Sequence, residues 1–287
     1  MTYHLADDIV TTAKARQAAE KKTDGDIDFP GYEALWDEHL ETDPVVQLIV
    51  RVAGGDVVRA IPAPATAGLH RVAWDLRGPA PDPVSLTKPE FVMPWDTDPQ
   101  GPLLPAGDYT VELVATRPGQ AVEVLAGPEP VQVVDVPGVG QSDTEFADAT
   151  ASLARAVAGA AKEIETARDR LKHLRAAMAA AVGADAELYG DVDAVARRIE
   201  ELAARLTGDP IRQKLEEPFA PSIKDLVDRV AHFSWFTTSG PTTTQREALE
   251  RATDEFAPVR EGLDGALGEL AAVTRAVDDA GGTWTPR

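Results

Sequence analysis

Hydrophobic residues follow two regimes along this chain, and they change over near residue 140. From Pro44 to Val136 apolar positions recur every second residue, which is the period of a strand whose side chains alternate between faces. PVVQLIVRV (44–52) reads as one strand. Ala53-Gly54-Gly55-Asp56 reads as a hairpin turn into VVRAI (57–61), because glycine supplies the positive φ that such turns need. GLHRVAWDLR (68–77) alternates as well, with His70, Val72, Trp74 and Leu76 on one face and Leu69, Arg71, Ala73, Asp75 and Arg77 on the other. A proline-rich excursion, Gly78 to Pro105, leads to LLPAGDYTVELVAT (103–116), where Tyr109, Val111 and Leu113 share a face. AVEVLAGPEPVQVVDV (121–136) predicts two further short strands. Strands at this spacing with no helical pattern between them predict an antiparallel sandwich.

After Ser142 the step becomes three and four. SDTE (142–145) has the form of a capping box, and Phe146, Leu153, Val157, Ala160, Ile164, Ala167, Leu171, Leu174 and Met178 form a heptad seam. A second seam runs through Leu249, Ala252, Phe256, Val259, Leu263, Leu270, Val273 and Val277. Shorter helices are predicted over 192–206 and 223–236, between breaks at TGDP and SGP. Each helix has a single apolar stripe to bury, so an antiparallel bundle follows. The fold class read from the pattern is α+β and multidomain: a polar lead-in at 1–43 with a short helix over 9–22, an antiparallel β-sandwich at 44–138, and a helical bundle with two long helices at 142–281.

The 287 residues contain no cysteine, which excludes a disulfide framework and thiolate metal sites. The formal charge is −20, and both halves are acidic, so nucleic acid and anionic lipid are poor partners. No apolar run approaches the length of a bilayer span, and the N-terminus has no signal-type apolar stretch. The chain as written reads as cytoplasmic, and as extracytoplasmic if it derives from a longer exported parent.

Candidate chemistry is sparse. The five histidines stand apart from one another, and no nucleophile elbow, phosphate loop or dinucleotide fingerprint is present. Asp24, Asp26 and Asp28 resemble the start of a calcium loop, but Phe29 stands where glycine is required and Leu35 where the bidentate glutamate is required, so a solvated turn is expected. No catalytic, metal-binding or cofactor-binding residue is assigned. His232-Phe233-Ser234-Trp235-Phe236 is the densest aromatic stretch. Trp95, Tyr109 and Trp235 are the candidate contacts for a ligand or partner.

Several stretches together resemble a known arrangement. MTYHLADD (1–8), KARQAAEKK (14–22), VVRAIPAPATAGLHRVAWDLRGPAPDP (57–83), GPLLPAGDYTVELVA (101–115) and GDPIRQKLEEP (208–218) are similar to the C-terminal region of bacterial and archaeal proteins with BNR-type repeats and a sortilin-like β-propeller, often labelled glycosyl hydrolase-like. The likeness spans residues 1 to 280 or so, and implies an immunoglobulin-like sandwich and a helical tail following a propeller. The propeller itself is absent, as expected for a truncated form, a split gene product or an excised region, and no catalytic residue carries over. The resemblance implies a noncatalytic scaffold or interaction module that packs against a β-propeller, in cis or in trans. The alternatives are a carbohydrate-binding accessory module, contacting sugar through Trp95 and Tyr109, and a hydrolase with two convergent carboxylates. In the first reading, GLHRVAWDLRGP is scaffold.

Overall fold

The alternating half forms its sheet through paired faces. In the computed structural model, which describes residues 1–86, 91–94, 99–117, 120–135, 143–237 and 239–283, Val46, Leu48 and Val50 of β2 (Val45–Val52) are buried. They lie opposite Ala115, Leu113 and Val111 of β5 (Gly107–Thr116), so one apolar face runs across both strands. β3 (Val57–Ala63) pairs with the other edge of β2, and β6 (Glu123–Val133) with the other edge of β5, in the antiparallel order β3-β2-β5-β6. The last segment is therefore one strand of 11 residues, where two short strands were expected. The register shifts around Glu112, opposite Gly127 and Pro128, and this irregularity makes one strand look like two in the sequence.

The lead-in does not stand apart from the strands. β1 (Thr2–Leu5) pairs antiparallel with β4 (Gly68–Arg71) in a two-stranded sheet, and the amino terminus donates to Val72 O at 2.7 Å. Leu5, Tyr3, Ile9, Val72 and Trp74 join the β2 and β5 side chains in one apolar core, so the two sheets share an interior. Two helices lie between β1 and β2. α1 (Thr12–Glu20) is the expected one. α2 (Tyr32–Leu40) follows the non-helical aspartate stretch and is a helix that was not expected.

GLHRVAWDLR is a strand only as far as Arg71. Val72 and Trp74 still pack on the core, but Leu76 adopts φ 60° and is 39% exposed, while Arg77 is buried. The Asp75 carboxylate accepts the Arg77 N–H at 3.1 Å, the Trp74 indole N–H donates to Arg77 O at 3.2 Å, and Leu104 N–H donates to Leu76 O at 2.8 Å. WDLR is thus a side-chain-stabilised turn. Asp75 holds its own backbone two residues on and leaves the Arg77 side chain to other contacts.

The chain divides into two compact units, Met1–Pro79 with Leu104–Pro137, and Ala80–Leu103 with Gly138–Arg287. The proline-rich excursion therefore belongs with the helical part, whereas the sequence assigned it to the strands. In that unit, α3 (Thr144–Met178), α4 (Ala186–Thr207), α6 (Ile223–Trp235) and α7 (Thr243–Asp279) surround one apolar core, and α5 (Pro210–Lys214) is a single short turn of helix. The whole is a mixed α/β chain with antiparallel sheets and seven helices among the described residues. The α7 seam is buried at every expected position, with Ala266 and Thr274 added. The α3 seam starts differently: Thr150 and Ala154 are buried, while Leu153 is only partly covered. Ser142 lies outside the described residues, and Asp143 caps α3 by accepting the Phe146 N–H at 2.9 Å.

Candidate functional site

Of the three residues singled out as contacts, two are buried and the third lies outside the described residues. Tyr109 is buried, its hydroxyl donates to Pro105 O at 2.7 Å, and its ring meets Trp74 edge-on at 5.4 Å. Burial pushes the phenol pKa above its usual value. Tyr109 is a core anchor that fastens the turn before β5, and its assignment as a ligand contact is corrected. Trp95 lies outside the described residues. Trp235 is also buried, on the inward face of α6, where with Ala154, Val157 and Pro99 it lines a small cavity of about 260 Å³. Its ring is not presented at the surface either.

The outward members of the same aromatic stretch are Phe233 and Phe236, 59% and 58% exposed. They follow from helical geometry. The buried stripe of α6 is Ile223, Leu226, Val227, Val230, Ala231 and Trp235, which turns positions 229, 232, 233 and 236 away from the core. The sequence reading took the largest ring and missed this phase. Counting steps of three and four from Val230 would have found it.

Phe233 and Phe236 flank His232, whose ring lies 5.4 Å from the first and 5.1 Å from the second. Together with Arg229 they form one wall of a groove of about 630 Å³, whose other wall is the start of α7 with Thr242, Gln245 and Ala248. Each helix is capped at its N-terminus, which for α7 is at the groove and for α6 is at the opposite end. Ser222 and Asp225 close a capping box on α6, and Thr242 and Gln245 close another on α7, with Thr242 N–H donating to Gln245 Oε1 at 2.7 Å. That bond engages the Gln245 carbonyl oxygen and leaves its amide N–H groups as donors at the rim.

Beneath the groove, Val230 packs with Phe146 and Leu249 in a small apolar cluster. The Arg246 guanidinium lies 5.6 Å above the Phe146 ring and pairs with Asp143 at 2.7 Å. The Phe146 N–H, and then Arg246, hold the Asp143 carboxyl below the usual carboxylate range. The starts of α3 and α7 are thereby tied together at this end. The resulting surface is two exposed rings at the C-terminal end of α6, a cation at Arg229 with no ion pair among the described residues, and amide and hydroxyl groups along the rim. Such a surface can hold an apolar segment that also offers hydrogen-bond acceptors.

Among the described residues no group of three or more His, Asp or Glu side chains is placed to hold a metal ion, and no helix is long and apolar enough to cross a membrane. No protein-family model matches the chain, and neither a curated protein nor a solved structure matches it significantly. The resemblance to propeller proteins rests on the quoted stretches of sequence alone.

Proposed function

We propose that this chain is a noncatalytic interaction module, of the kind that accompanies a sortilin-like BNR-repeat propeller, with its sheets forming an immunoglobulin-like sandwich and its long helices an antiparallel bundle. Support for the sandwich comes from the antiparallel order β3-β2-β5-β6 and the core shared with β1 and with Val72 and Trp74 just after β4. The observation that carries the binding role is the groove between α6 and α7, where Phe233 and Phe236 stay exposed at the C-terminal end of α6, beside the capped start of α7. Exposed rings on a rigid frame bind with little further ordering of side chains.

A protein segment fits this groove better than a sugar. Carbohydrate sites of the accessory type use flat aromatics on the sandwich, and Tyr109, proposed for that role, is inside the core. The test compares the wild-type chain with a Phe233→Ala/Phe236→Ala variant in a photo-crosslinking capture from cells, run beside a glycan array. The expected result is one saturable protein partner, mapped to the groove, that the variant loses, with no glycan signal. Saturable glycan binding lost in the same variant would replace this reading with the accessory-module one, and turnover of a polysaccharide by the purified chain would replace both.

A further inference from the structure

A helix that the sequence did not predict, α2, buries none of its residues. Its ordering is therefore not explained by a core. It is held instead by polar pins to α1. The Arg16 guanidinium grips Glu38 with two bonds of 2.7 Å, Thr12 N–H donates to both Glu41 oxygens at 3.0 and 2.8 Å, and Lys14 pairs with Asp43 at 2.6 Å. These contacts fix the inner side of the helix. The outer side carries Tyr32, Trp36 and Leu40 at 84%, 63% and 62% exposure, spaced i, i+4, i+8 along one stripe. Phe29, itself 62% exposed, extends the stripe by meeting Tyr32 edge-on at 5.0 Å.

Charge decides what can cover this stripe. Between Asp24 and Asp43 there are eight acidic residues and no lysine or arginine. Glu38, Glu41 and Asp43 are engaged by α1, whereas Asp24, Asp26, Asp28, Glu33 and Asp37 have no ion pair among the described residues. Carboxylates with no ion pair therefore flank the exposed aromatic stripe, Asp28 beside Phe29 and Glu33 and Asp37 within α2. A second copy of a chain with charge −20 would set like charges against each other, and an anionic lipid surface or nucleic acid would do the same.

We infer that the Tyr32–Trp36–Leu40 face of α2 is a docking surface for a lysine- and arginine-rich amphipathic helix of a partner protein. The apolar side of that helix lies along the aromatic stripe, and its cations meet Asp28, Glu33 and Asp37. This rests on the reading of the chain as an interaction module, but it names a surface separate from the α6–α7 groove.

The probe is a fluorescein-labelled synthetic Leu/Lys amphipathic peptide of about 15 residues, long enough to hold a helix, titrated into the full chain. Saturable binding is expected, falling steeply with added salt. Trp36→Ala combined with Tyr32→Ala weakens it more than about tenfold, as loss of aromatic anchors does. Glu33→Lys with Asp37→Lys weakens it comparably. Both variants alter exposed side chains, and an unchanged circular dichroism melt shows that they fold. Phe233→Ala/Phe236→Ala leaves the peptide affinity unchanged, so failure at α2 and failure at the groove are told apart. The inference is overturned if the peptide does not bind, if it binds the Trp36/Tyr32 variant as tightly as wild type, or if a Leu/Glu peptide binds as well. Self-association or binding to phosphatidylglycerol vesicles that depends on Trp36 would overturn it too.

Discussion

Trp74 shows how a correct residue assignment can sit in a wrongly read element. Its burial against Tyr109 was legible, because a tryptophan in an alternating stretch has few places to go but the core. The strand end was not, since alternation reports side-chain polarity and not φ, and Leu76 turns out at φ 60°. The Asp75 carboxylate now closes the turn, so Asp75→Ala should cost about 1 kcal/mol through the unpaired Arg77 N–H. Asp75→Asn should recover most of it, since its carbonyl oxygen can accept the same bond. Tryptophan fluorescence during urea unfolding would report both, and an Ala variant as stable as wild type would remove Asp75 from the turn. Gly127 makes a sharper demand. Its φ is 95°, and a Cβ there would sit 2.6 Å from Val111 O and 3.1 Å from Glu112 Cα. Backbone atoms cannot swing aside as a flexible side chain can. Gly127→Ala is therefore expected to destabilise by about 2 kcal/mol or more, seen as faster hydrogen exchange at the β5–β6 amides.

Among the elements, the long helices were read nearly residue for residue and α2 was not read at all. The difference is physical. α3 and α7 bury their stripes, so hydrophobic period and structure report the same thing. In α2 the period is present, but the apolar residues point outward, and Gly31 precedes the helix with no side-chain cap. Its acidic approach, with aspartate at every second position, resembled a loop and hid the helix. The groove at α6 was half legible for a related reason: the aromatic stretch was noticed, but its helical phase was not followed. One feature inside α7 is open to direct test. Pro258 is exposed within the helix and cannot donate the backbone bond to Asp254. Pro258→Ala should raise the helical unit's stability by about 1–3 kcal/mol, read as a higher thermal midpoint at the helical circular dichroism band. A lower midpoint would mean that Phe256 and Val259 are seated only through the bend proline imposes.

Across the whole molecule the charge of −20 opposes folding at neutral pH, and the hydrogen-bonded carboxylates favour it, so the two separate along the pH axis. Glu38, Asp143, Asp169 and Glu200 are held below the usual carboxylate range by hydrogen bonds from Arg16, the Phe146 N–H, Lys172 and Arg168 respectively. A carboxyl with a depressed folded pKa contributes stability that is present above its unfolded value of about 4 and lost as pH falls through the folded value. Tyr3 and Tyr109 shift the other way through burial, so their contribution is present below about pH 10 and lost as pH rises through the folded value. At low ionic strength the thermal midpoint should rise from pH 8 toward pH 5 as repulsion eases, then fall below about pH 4. Salt at about 0.5 M should flatten the first limb, because diffuse repulsion acts over distances longer than the screening length. It should leave the acid fall in place, because the Asp143 bond to the Phe146 N–H acts at 2.9 Å. If salt instead removed the acid fall and left the shallow limb, the stabilising carboxylates would be acting at long range and the hydrogen bonds would not be its cause.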